Sequence, residues 1–474
     1  MQAKIQFSGS RKDCLSVAFM FEGMMRPFEA MPESFTGKKL ESFYLPEHKV
    51  IVVGLGKEEE LKIDYYRRAA AKAVKLAMAY KIAEVQFPDK GLDGNSFGKK
   101  EFLALAEGSL LANYSFDKYK AEDAKPSRVK EIILPETAKG FRESIESAAV
   151  VCENVSMVRD LVSENSDIVT PDFIDGFSRK IAKECGLKIE VLEKAELEKL
   201  GMNCLLAVGR ASTQSPRLIM LEYNGDPSSN EKIMLAGKGM CFDSGGLDIK
   251  PRDSMLEMRM DMAGAATVLA IMKSASELKL KKNIVGIMAV TENLVDAKSY
   301  RPKDIIKSYS GKTVENMDTD AEGRLVLADA LNYGAKKFGP KLIMEFSTLT
   351  GSIVSTFGSH VAGLFANSAA KEKGFEKKMS EAGLETYERV WELPLFEEYL
   401  DEVSGERSDF RSLGKTRYNG AIFGAAFLSK FVEDKPFLHI DIAGTAHIEE
   451  AKDYMPKDGT GFGVRLAVEF LKKI

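Results

Sequence analysis

The stretch IMLAGKGMCFDSGG, residues 233–246, decides the fold, because it joins an apolar run to a polar, glycine-rich segment. Residues 233–236 have the composition of a strand that is buried in a sheet. Lys238 and Asp243 follow that predicted strand, and α/β proteins build their sites just beyond the carboxyl ends of strands. The order GxxxxGK[ST] of a phosphate-binding loop is absent. The stretch therefore predicts an α/β domain with a polar site at one edge of its sheet.

Further apolar runs and helical stretches alternate around this segment, as expected for a layered α/β domain with a central mixed sheet. The other predicted strands are 189–192, 205–208, 218–223, 284–290, 342–347 and 437–442. The predicted helices are 172–185, 262–278, 323–338, 421–432 and 463–473.

The amino-terminal part predicts a second, smaller α/β domain. Strands are expected at 50–53, 85–87 and 131–134, and helices at 65–80 and 101–114. Residues 141–162 read as one long helix that connects the domains. With 474 residues the chain exceeds the size of a single core, so we place an amino-terminal domain at 1–150 and a catalytic domain at 151–474.

Composition narrows the class of protein. The chain is 45% hydrophobic and 29% charged, and its net charge of −4 comes from 67 basic and 71 acidic residues, a balance that disfavours nucleic acid or anionic membrane as partner. The first twenty residues carry Lys4, Arg11, Lys12 and Asp13 and lack the apolar core of a secretory signal. No apolar run approaches the roughly 18 residues of a membrane span.

The five cysteines show no CxxC spacing, so they predict neither a disulfide framework nor a thiolate zinc site. Reduced thiols and the absence of an export signal lead us to expect a cytoplasmic protein.

The densest polar constellation is DTDAEGR, residues 318–324, directly before a predicted helix. If the segment is extended, Asp318, Asp320 and Glu322 point to one side. Carboxylates this close raise one another's pKa unless a cation lies between them, which favours a metal site. A solvated acidic turn is the alternative. An EF-hand calcium loop fails because its ninth and twelfth positions are Val326 and Asp329.

Four motifs in order resemble the leucyl aminopeptidase family, peptidase family M17. They are GKGxxFDSGGxxIKP (237–251), MRxDMxGAA (258–266), DAEGRLVLADAL (320–331) and TLTG (348–351). The resemblance covers residues 155–474 and includes TEN (291–293), YRPKD (300–304) and HIDIAG (439–444). Taken singly, charges such as Lys250 and Asp261 would be ordinary surface residues.

The resemblance implies two divalent metal ions in each subunit. One would be held by Asp320, Glu322 and Asp243, the other by Lys238, Asp243, Asp261 and Glu322. Mainly oxygen ligands suit manganese or zinc, with cobalt or magnesium as alternatives. Lys238 would have to be a neutral amine, although the ordinary lysine pKa is about 10.4.

The resemblance also implies a reaction: a metallo-aminopeptidase that removes the amino-terminal residue of short peptides through a water activated by two metals. Lys250 would stabilise the oxyanion, and Arg324 would bind a bicarbonate ion. The side-chain pocket would be lined by Met258, Thr348, Gly351, Ala443 and Ala446. It would take Leu and other apolar residues, and small Ala446 predicts room for Phe or Met. The family assembles as a homohexamer.

Two other functions stay open at this point, a two-metal phosphoesterase and a DNA-binding regulator that also cleaves peptides. The first usually recruits histidine, and none of the four histidines falls in the motifs. The second needs a basic face, which the balanced charge does not indicate. We expect His439, in an apolar strand, to be a hydrogen-bonded core residue. Asp318 stands where the family has asparagine, and it either perturbs the metals or only holds its loop.

Overall fold

The computed structural model describes residues 3–9, 11 and 14–474, and the chain divides into two compact units. One comprises Met1–Ser156 with Glu449–Lys457, and the other comprises Met157–Ile448 with Asp458–Ile474. Lys12 and Asp13, part of the amino-terminal charge pattern, lie outside the described residues. No helix in the described part of the chain is long and apolar enough to cross a membrane.

The first unit is built on a six-stranded sheet in the order β1-β6-β5-β2-β4-β3. All of its strand pairs are parallel except β3 with β4. The strands are β1 (Lys4–Phe7), β2 (Leu15–Phe21), β3 (Ser42–Leu45), β4 (Val50–Gly56), β5 (Glu84–Gln86) and β6 (Glu131–Leu134). Its helices are α1 (Ile63–Ala79) and α2 (Lys99–Ala112), and α3 (Arg142–Ser163) begins here and runs past Ser156. The predicted parallel unit is confirmed, whereas β1 to β3 were not predicted.

The second unit contains an eight-stranded mixed sheet in the order β15-β14-β17-β13-β9-β10-β8-β7. Its strands are β7 (Lys188–Leu192), β8 (Arg217–Asn224), β9 (Lys232–Asp243), β10 (Asn283–Asn293), β13 (Leu342–Ser347), β14 (Ala362–Ala366), β15 (Val390–Glu392) and β17 (Phe437–Asp441). The four central strands β17, β13, β9 and β10 are parallel. Two small sheets contain β11 (Ile305–Lys307), β12 (Thr313–Glu315) and β16 (Phe410–Arg411), and β18 (His447–Ile448) with β19 (Asp458–Gly459).

Helices pack on this sheet, and α8 and α9 both contact β9 and β10. The helices are α4 (Pro171–Cys185), α5 (Lys194–Leu200), α6 (Asn203–Gly209), α7 (Arg252–Met255), α8 (Ala263–Glu277), α9 (Glu322–Phe338), α10 (Gly351–Phe357), α11 (Ser368–Glu372), α12 (Phe375–Thr386), α13 (Glu397–Glu402), α14 (Gly420–Ser429) and α15 (Val464–Lys473). Every residue of β10 is buried, as expected for a central parallel strand covered by helices.

Two details of the prediction are wrong. Residues 205–208 lie in α6 and not in a strand, because a short apolar run does not distinguish a strand from a buried helix. The Asp329 carboxylate accepts the Cys204 and Leu205 N–H groups (2.9 and 3.0 Å) at the first turn of α6. The strand predicted to stop at residue 236 continues to Asp243, so Lys238 lies on β9.

Candidate active site

β9 supplies two of the candidate residues from within the sheet. Lys238 and Asp243 are both buried, and Asp243 is the last residue of the strand. The neighbouring parallel strand β10 ends at Asn293, whose amide donates to Asp243 Oδ1 (2.8 Å) and to the Thr319 carbonyl (3.0 Å). One amide therefore fixes the end of β9 relative to the acidic loop that precedes α9.

That acidic loop is held by hydrogen bonds to the residues directly before Asp320. Thr319 N–H donates to Asp248 Oδ2 (2.8 Å), and Tyr300 Oη donates to the Thr319 carbonyl (2.6 Å). Asp318 Oδ1 accepts the N–H of Asp320 (2.8 Å). The loop-holding role considered for Asp318 is therefore present in the structure.

The loop places three carboxylates around one point. Asp243, Asp320 and Glu322 each offer an oxygen, and these oxygens lie within 4.8 Å of one another. Glu322 begins α9, and Gly323 follows because a Cβ there would stand 2.7 Å from Lys238 Cε. A side chain at residue 323 would therefore have to displace the end of the Lys238 side chain, which contacts Asp261 and Glu322.

Lys238 connects the fourth carboxylate, Asp261, to this group, and Lys250 bridges two of the other three. Lys238 Nζ lies 2.8 Å from Asp261 Oδ2 and 2.7 Å from Glu322 Oε1. Lys250 Nζ lies 2.9 Å from Asp243 Oδ2 and also contacts Asp320 Oδ1. All five predicted metal ligands and Lys250 are therefore brought together, although they come from four separate segments of the chain.

Burial and like charge perturb these groups strongly. Burial raises the pKa of Asp261, Glu322 and Asp320, and neighbouring carboxylates raise it further against the opposing effect of the lysines. Burial disfavours the charge on Lys238 and Lys250, but the surrounding carboxylates outweigh it and raise the pKa of both lysines. The lysines are ammonium groups that balance part of the negative charge.

The donor set suits divalent cations. Glu322 Oε2 is buried without a hydrogen-bond partner, and Asp261 Oδ2 and Asp320 Oδ1 lack hydrogen bonds of good geometry despite their lysine neighbours. Buried carboxylate oxygens normally have partners, so these oxygens are available as ligands. Carboxylate oxygens with one amine suit a hard or borderline dication.

The predicted pocket residues lie on the 3-10 helix that carries Asp261, on the segment from the end of β13 into α10, and just after β17. Met258 starts the 3-10 helix Met258–Met262, which carries Asp261. Thr348 follows β13; its hydroxyl bonds Asp261 Oδ1 (2.6 Å), and its carbonyl accepts from Lys238 Nζ (3.2 Å). Gly351 begins α10, and Ala443 and Ala446 are buried just after β17.

Arg324 lies in the first turn of α9 and is buried. Its Nη1 donates to the Ser412 carbonyl (2.7 Å), and its Nε has no hydrogen-bond partner. Burial lowers the pKa of Arg324, while Glu322, Asp441 and Asp318 oppose that shift. The guanidinium therefore retains capacity to bind an anion.

Several residues that shape the site were not predicted as site residues. Asn293 and Tyr300 lie in the strings TEN and YRPKD, to which the family resemblance assigns no role. Asp248, between Asp243 and Lys250, also lies outside the predicted set. The expectation for His439 is confirmed, because its ring is fully buried and bonded to Glu345.

A second cluster, formed by Glu257, His447 and Asp458, also offers three ligand atoms within 4.8 Å. The Nη2 of Arg259 lies 2.8 Å from Glu257 Oε2 and 3.0 Å from Asp458 Oδ1. The Arg259 guanidinium therefore already balances the two carboxylates of this cluster.

Comparisons with known proteins agree with this geometry. The model of the cytosol aminopeptidase family catalytic domain matches residues 156–468, and that of the family's N-terminal domain matches residues 33–123. A "probable cytosol aminopeptidase" of Aquifex aeolicus (strain VF5) is 38% identical, covering 96% of this chain and 94% of its own. One from Cenarchaeum symbiosum (strain A) is 39% identical, covering 90% and 86%.

Among solved structures, the bottromycin maturation enzyme BotP in complex with Mn superposes with a TM-score of 0.87 at 28% identity, covering 98% of this chain and 99% of its own. The chain therefore shares the fold of that enzyme over nearly all of the residues given, and the curated relatives are named as probable aminopeptidases. Because the family's catalytic-domain model matches more than half of the chain, the chain belongs to the cytosol aminopeptidase family, peptidase family M17, a family of hydrolases.

Proposed function

We propose that this chain is a two-metal aminopeptidase that removes Leu and other apolar residues from the amino terminus of short peptides. The observation that carries the proposal is the cluster of three buried carboxylates, Asp243, Asp261 and Glu322, with half-buried Asp320 beside them, in which Glu322 Oε2 has no hydrogen-bond partner. So much buried negative charge is unstable unless cations balance it. Two lysine ammonium groups leave the cluster with excess negative charge.

Asp243, Asp320 and Glu322 would hold one ion, and Lys238, Asp243, Asp261 and Glu322 would hold the other. Two dications bound there would activate water at neutral pH and polarise the scissile carbonyl. Manganese or zinc is the proposed metal, because the similar structure of BotP contains Mn and the ligands are mainly oxygens. Cobalt and magnesium remain the alternatives to be tested.

The chain's own residues supply charge and position. Lys250 Nζ contacts Asp243 and Asp320 from the edge of the cluster, where an ammonium can stabilise negative charge developing on a peptide carbonyl oxygen. Arg324 would hold a bicarbonate ion as general base, since its buried Nε lacks a partner. Lys238 must lose its proton to act as a ligand, and a competing dication among the same carboxylates favours that loss.

Specificity would come from the ends of β13 and β17 and from Met258. Ala443 packs in an apolar cluster with Ile353 and Phe365, so one wall is apolar and selects apolar side chains. Ala446 leaves room for Phe or Met. A free α-amine that binds a metal would restrict cleavage to the first peptide bond.

The remaining assignments are also proposals. We propose an amino-terminal domain at 1–150 and a catalytic domain at 151–474, a homohexameric assembly, and a cytoplasmic location. The matched family regions, 33–123 and 156–468, support this division.

Hydrolysis of leucinamide before and after chelation tests the function. We expect the purified chain to cleave leucinamide, to lose that activity with a chelator, and to regain it with Mn²⁺ or Zn²⁺. An amino-terminally acetylated substrate should resist cleavage. Turnover of a phosphoester in place of the amide, or binding to duplex DNA without peptidase activity, would overturn the proposal in favour of the two alternatives.

A further inference from the structure

Asp441 is a buried carboxylate at the carboxyl end of β17; its charge acts on Arg324, but it is neither a proposed metal ligand nor a proposed pocket residue. Its Oδ1 accepts the N–H groups of Leu349 (3.1 Å) and Ala443 (3.2 Å). Its Oδ2 accepts the hydroxyl of Thr350 (2.7 Å). All three partners are donors, and between them they occupy acceptor sites on both carboxylate oxygens.

These donors come from two different loops. Leu349 and Thr350 follow β13, and Ala443 follows β17. The two strands are parallel neighbours in which Ser347 pairs with Asp441, and the N–H of Ile442 donates to the Ser347 carbonyl (2.8 Å). Asp441 therefore links the loops at the point where both leave the sheet.

Each of the two loops carries residues of the proposed side-chain pocket. The loop after β13 carries Thr348 and leads to Gly351, and the loop after β17 carries Ala443 and Ala446. The Thr350 hydroxyl, held by Asp441, also accepts the N–H of Ile353 (3.3 Å) at the start of α10. The same carboxylate thus fixes the backbone on both sides of the pocket.

The first loop also reaches the metal ligands. Thr348 directly precedes Leu349, and it bonds Asp261 through its hydroxyl and Lys238 through its carbonyl. Asp441 makes no direct contact with either ligand. Its influence on the reaction would therefore pass through the position of the loop.

We propose that Asp441 is a positioning residue that clamps the two pocket loops together and thereby sets side-chain selectivity. This inference rests on the proposed aminopeptidase function. Truncating Asp441 would leave two buried N–H groups and one hydroxyl unpaired, a loss large enough to let the loops separate. The pocket would then hold a bound side chain less tightly, while the metal ligands keep their own contacts.

Asp329 provides a matched control for this test. It is also a fully buried carboxylate with three backbone donors: Oδ2 accepts from Cys204 and Leu205, and Oδ1 accepts from Tyr309 (2.8 Å). Those donors belong to α6 and to the segment after β11, which carry none of the proposed pocket residues. Asp329→Ala should therefore reduce stability comparably without changing selectivity.

The experiment compares full-length wild type, Asp441→Ala, Asp441→Asn and Asp329→Ala with leucinamide and phenylalaninamide, in the presence of Mn²⁺. We expect Asp441→Ala to raise KM about tenfold and to change the Leu-to-Phe ratio of kcat/KM about fivefold or more, the size of effect that altered pocket contacts produce. Bound metal, measured by atomic absorption, should stay at the wild-type level. Asp441→Asn keeps an acceptor for Leu349 and Ala443 but loses the one for Thr350, so its Leu-to-Phe ratio should lie between those of wild type and Asp441→Ala.

An unchanged Leu-to-Phe ratio and KM in Asp441→Ala, with activity falling only as it does in Asp329→Ala, would overturn the inference and leave the aminopeptidase function intact. If Asp441→Ala does not fold, the Asp441→Asn variant decides. Its side chain presents an amide nitrogen to the Thr350 hydroxyl in place of a carboxylate oxygen, and this change should still shift the Leu-to-Phe ratio of kcat/KM measurably. A wild type that fails to cleave leucinamide would overturn the proposed function itself, and the inference with it.

Discussion

Two acidic clusters in the second unit differ in the cation that balances them. One joins Asp243, Asp320 and Glu322, the other joins Glu257, His447 and Asp458, and each gathers three ligand atoms within 4.8 Å. In the first, the balancing cations are lysines, whereas in the second Arg259 lies between two carboxylates. Equal ligand spacing thus accompanies two different chemical environments.

The difference shows why ligand geometry alone does not identify a metal site. An arginine guanidinium keeps its proton in proteins, so the arginine cluster stays neutralised by its own side chain. A lysine ammonium can lose its proton when a dication enters, and the neutral amine can then become a ligand. On this argument the lysine cluster can exchange its cations for metal ions, and the arginine cluster cannot.

The largest effect that would test this comparison is expected from Glu322→Gln. The substitution keeps the shape of the side chain and a carbonyl oxygen for Lys238, but it removes the charge that would be shared by both ions. We expect kcat/KM for leucinamide to fall by about a thousandfold or more, with loss of bound Mn²⁺, because the metals supply most of the catalysis. Steady-state kinetics and metal analysis measure both.

Asp458→Asn is the control in the arginine cluster. It removes a carboxylate 3.0 Å from Arg259 and should leave the metal content unchanged. A loss of bound metal in Asp458→Asn, or retention of activity in Glu322→Gln, would contradict the distinction between the clusters.

Lys238→Arg should convert the lysine cluster into the arginine type. A permanent guanidinium beside Asp261 and Glu322 would compete with the second ion, and we expect Mn²⁺ to bind there about a hundredfold more weakly. Titration calorimetry would report the change in affinity and stoichiometry. Lys238→Met also lacks the ligand amine but adds no charge, so it should bind the second ion better than Lys238→Arg. The reverse order would refute the argument.

The sequence predicted the lysine cluster and could not predict the arginine cluster. Lys238 and Asp243 lie in one uninterrupted motif and Glu322 in another, and each motif adjoins a predicted strand or helix. Glu257 and His447 are far apart in the chain, and His447 meets Asp458 only because β18 pairs with β19, two strands of two residues each. Such short elements leave no periodic pattern.

The fold shows the same limit. The long, strongly apolar strands β9, β10 and β13 were predicted, although β9 runs seven residues further than expected, because its carboxyl half is polar and glycine-rich. The run 205–208 adopts a helix whose first N–H groups bond Asp329, a partner more than 120 residues away. The local amino-acid composition does not indicate such a long-range contact.

Ala446→Met should have a smaller effect, confined to the pocket. A methionine would fill the space that alanine leaves, so we expect the kcat/KM for phenylalaninamide to fall about tenfold relative to leucinamide. Metal content should not change, which separates the pocket from the cluster. Ala446→Val provides an intermediate volume, and a graded response is expected. An unchanged ratio in both variants would show that Ala446 does not limit side-chain size.

The smallest effect is expected from Asp318→Asn, which restores the residue that the family usually has. Asparagine can still accept the N–H of Asp320, so the loop should keep its shape. Burial raises the pKa of Asp320, and the charge of Asp318 adds to that rise. Removing the charge should therefore lower the pKa of Asp320 and shift the acid limb of Mn²⁺ binding down by a few tenths of a pH unit.

At higher pH, where Asp320 is ionised in both proteins, the same substitution should act in the opposite direction. The loss of one nearby negative charge then weakens the attraction for a dication by about threefold or less. The wild-type and Asp318→Asn curves of Mn²⁺ affinity against pH should therefore cross. Asp318→Ala removes both the charge and the hydrogen bond to the N–H of Asp320. If the Mn²⁺ affinity curves of Asp318→Asn and Asp318→Ala coincide, that hydrogen bond contributes nothing to metal binding. Charge alone would then separate Asp318 from the family asparagine.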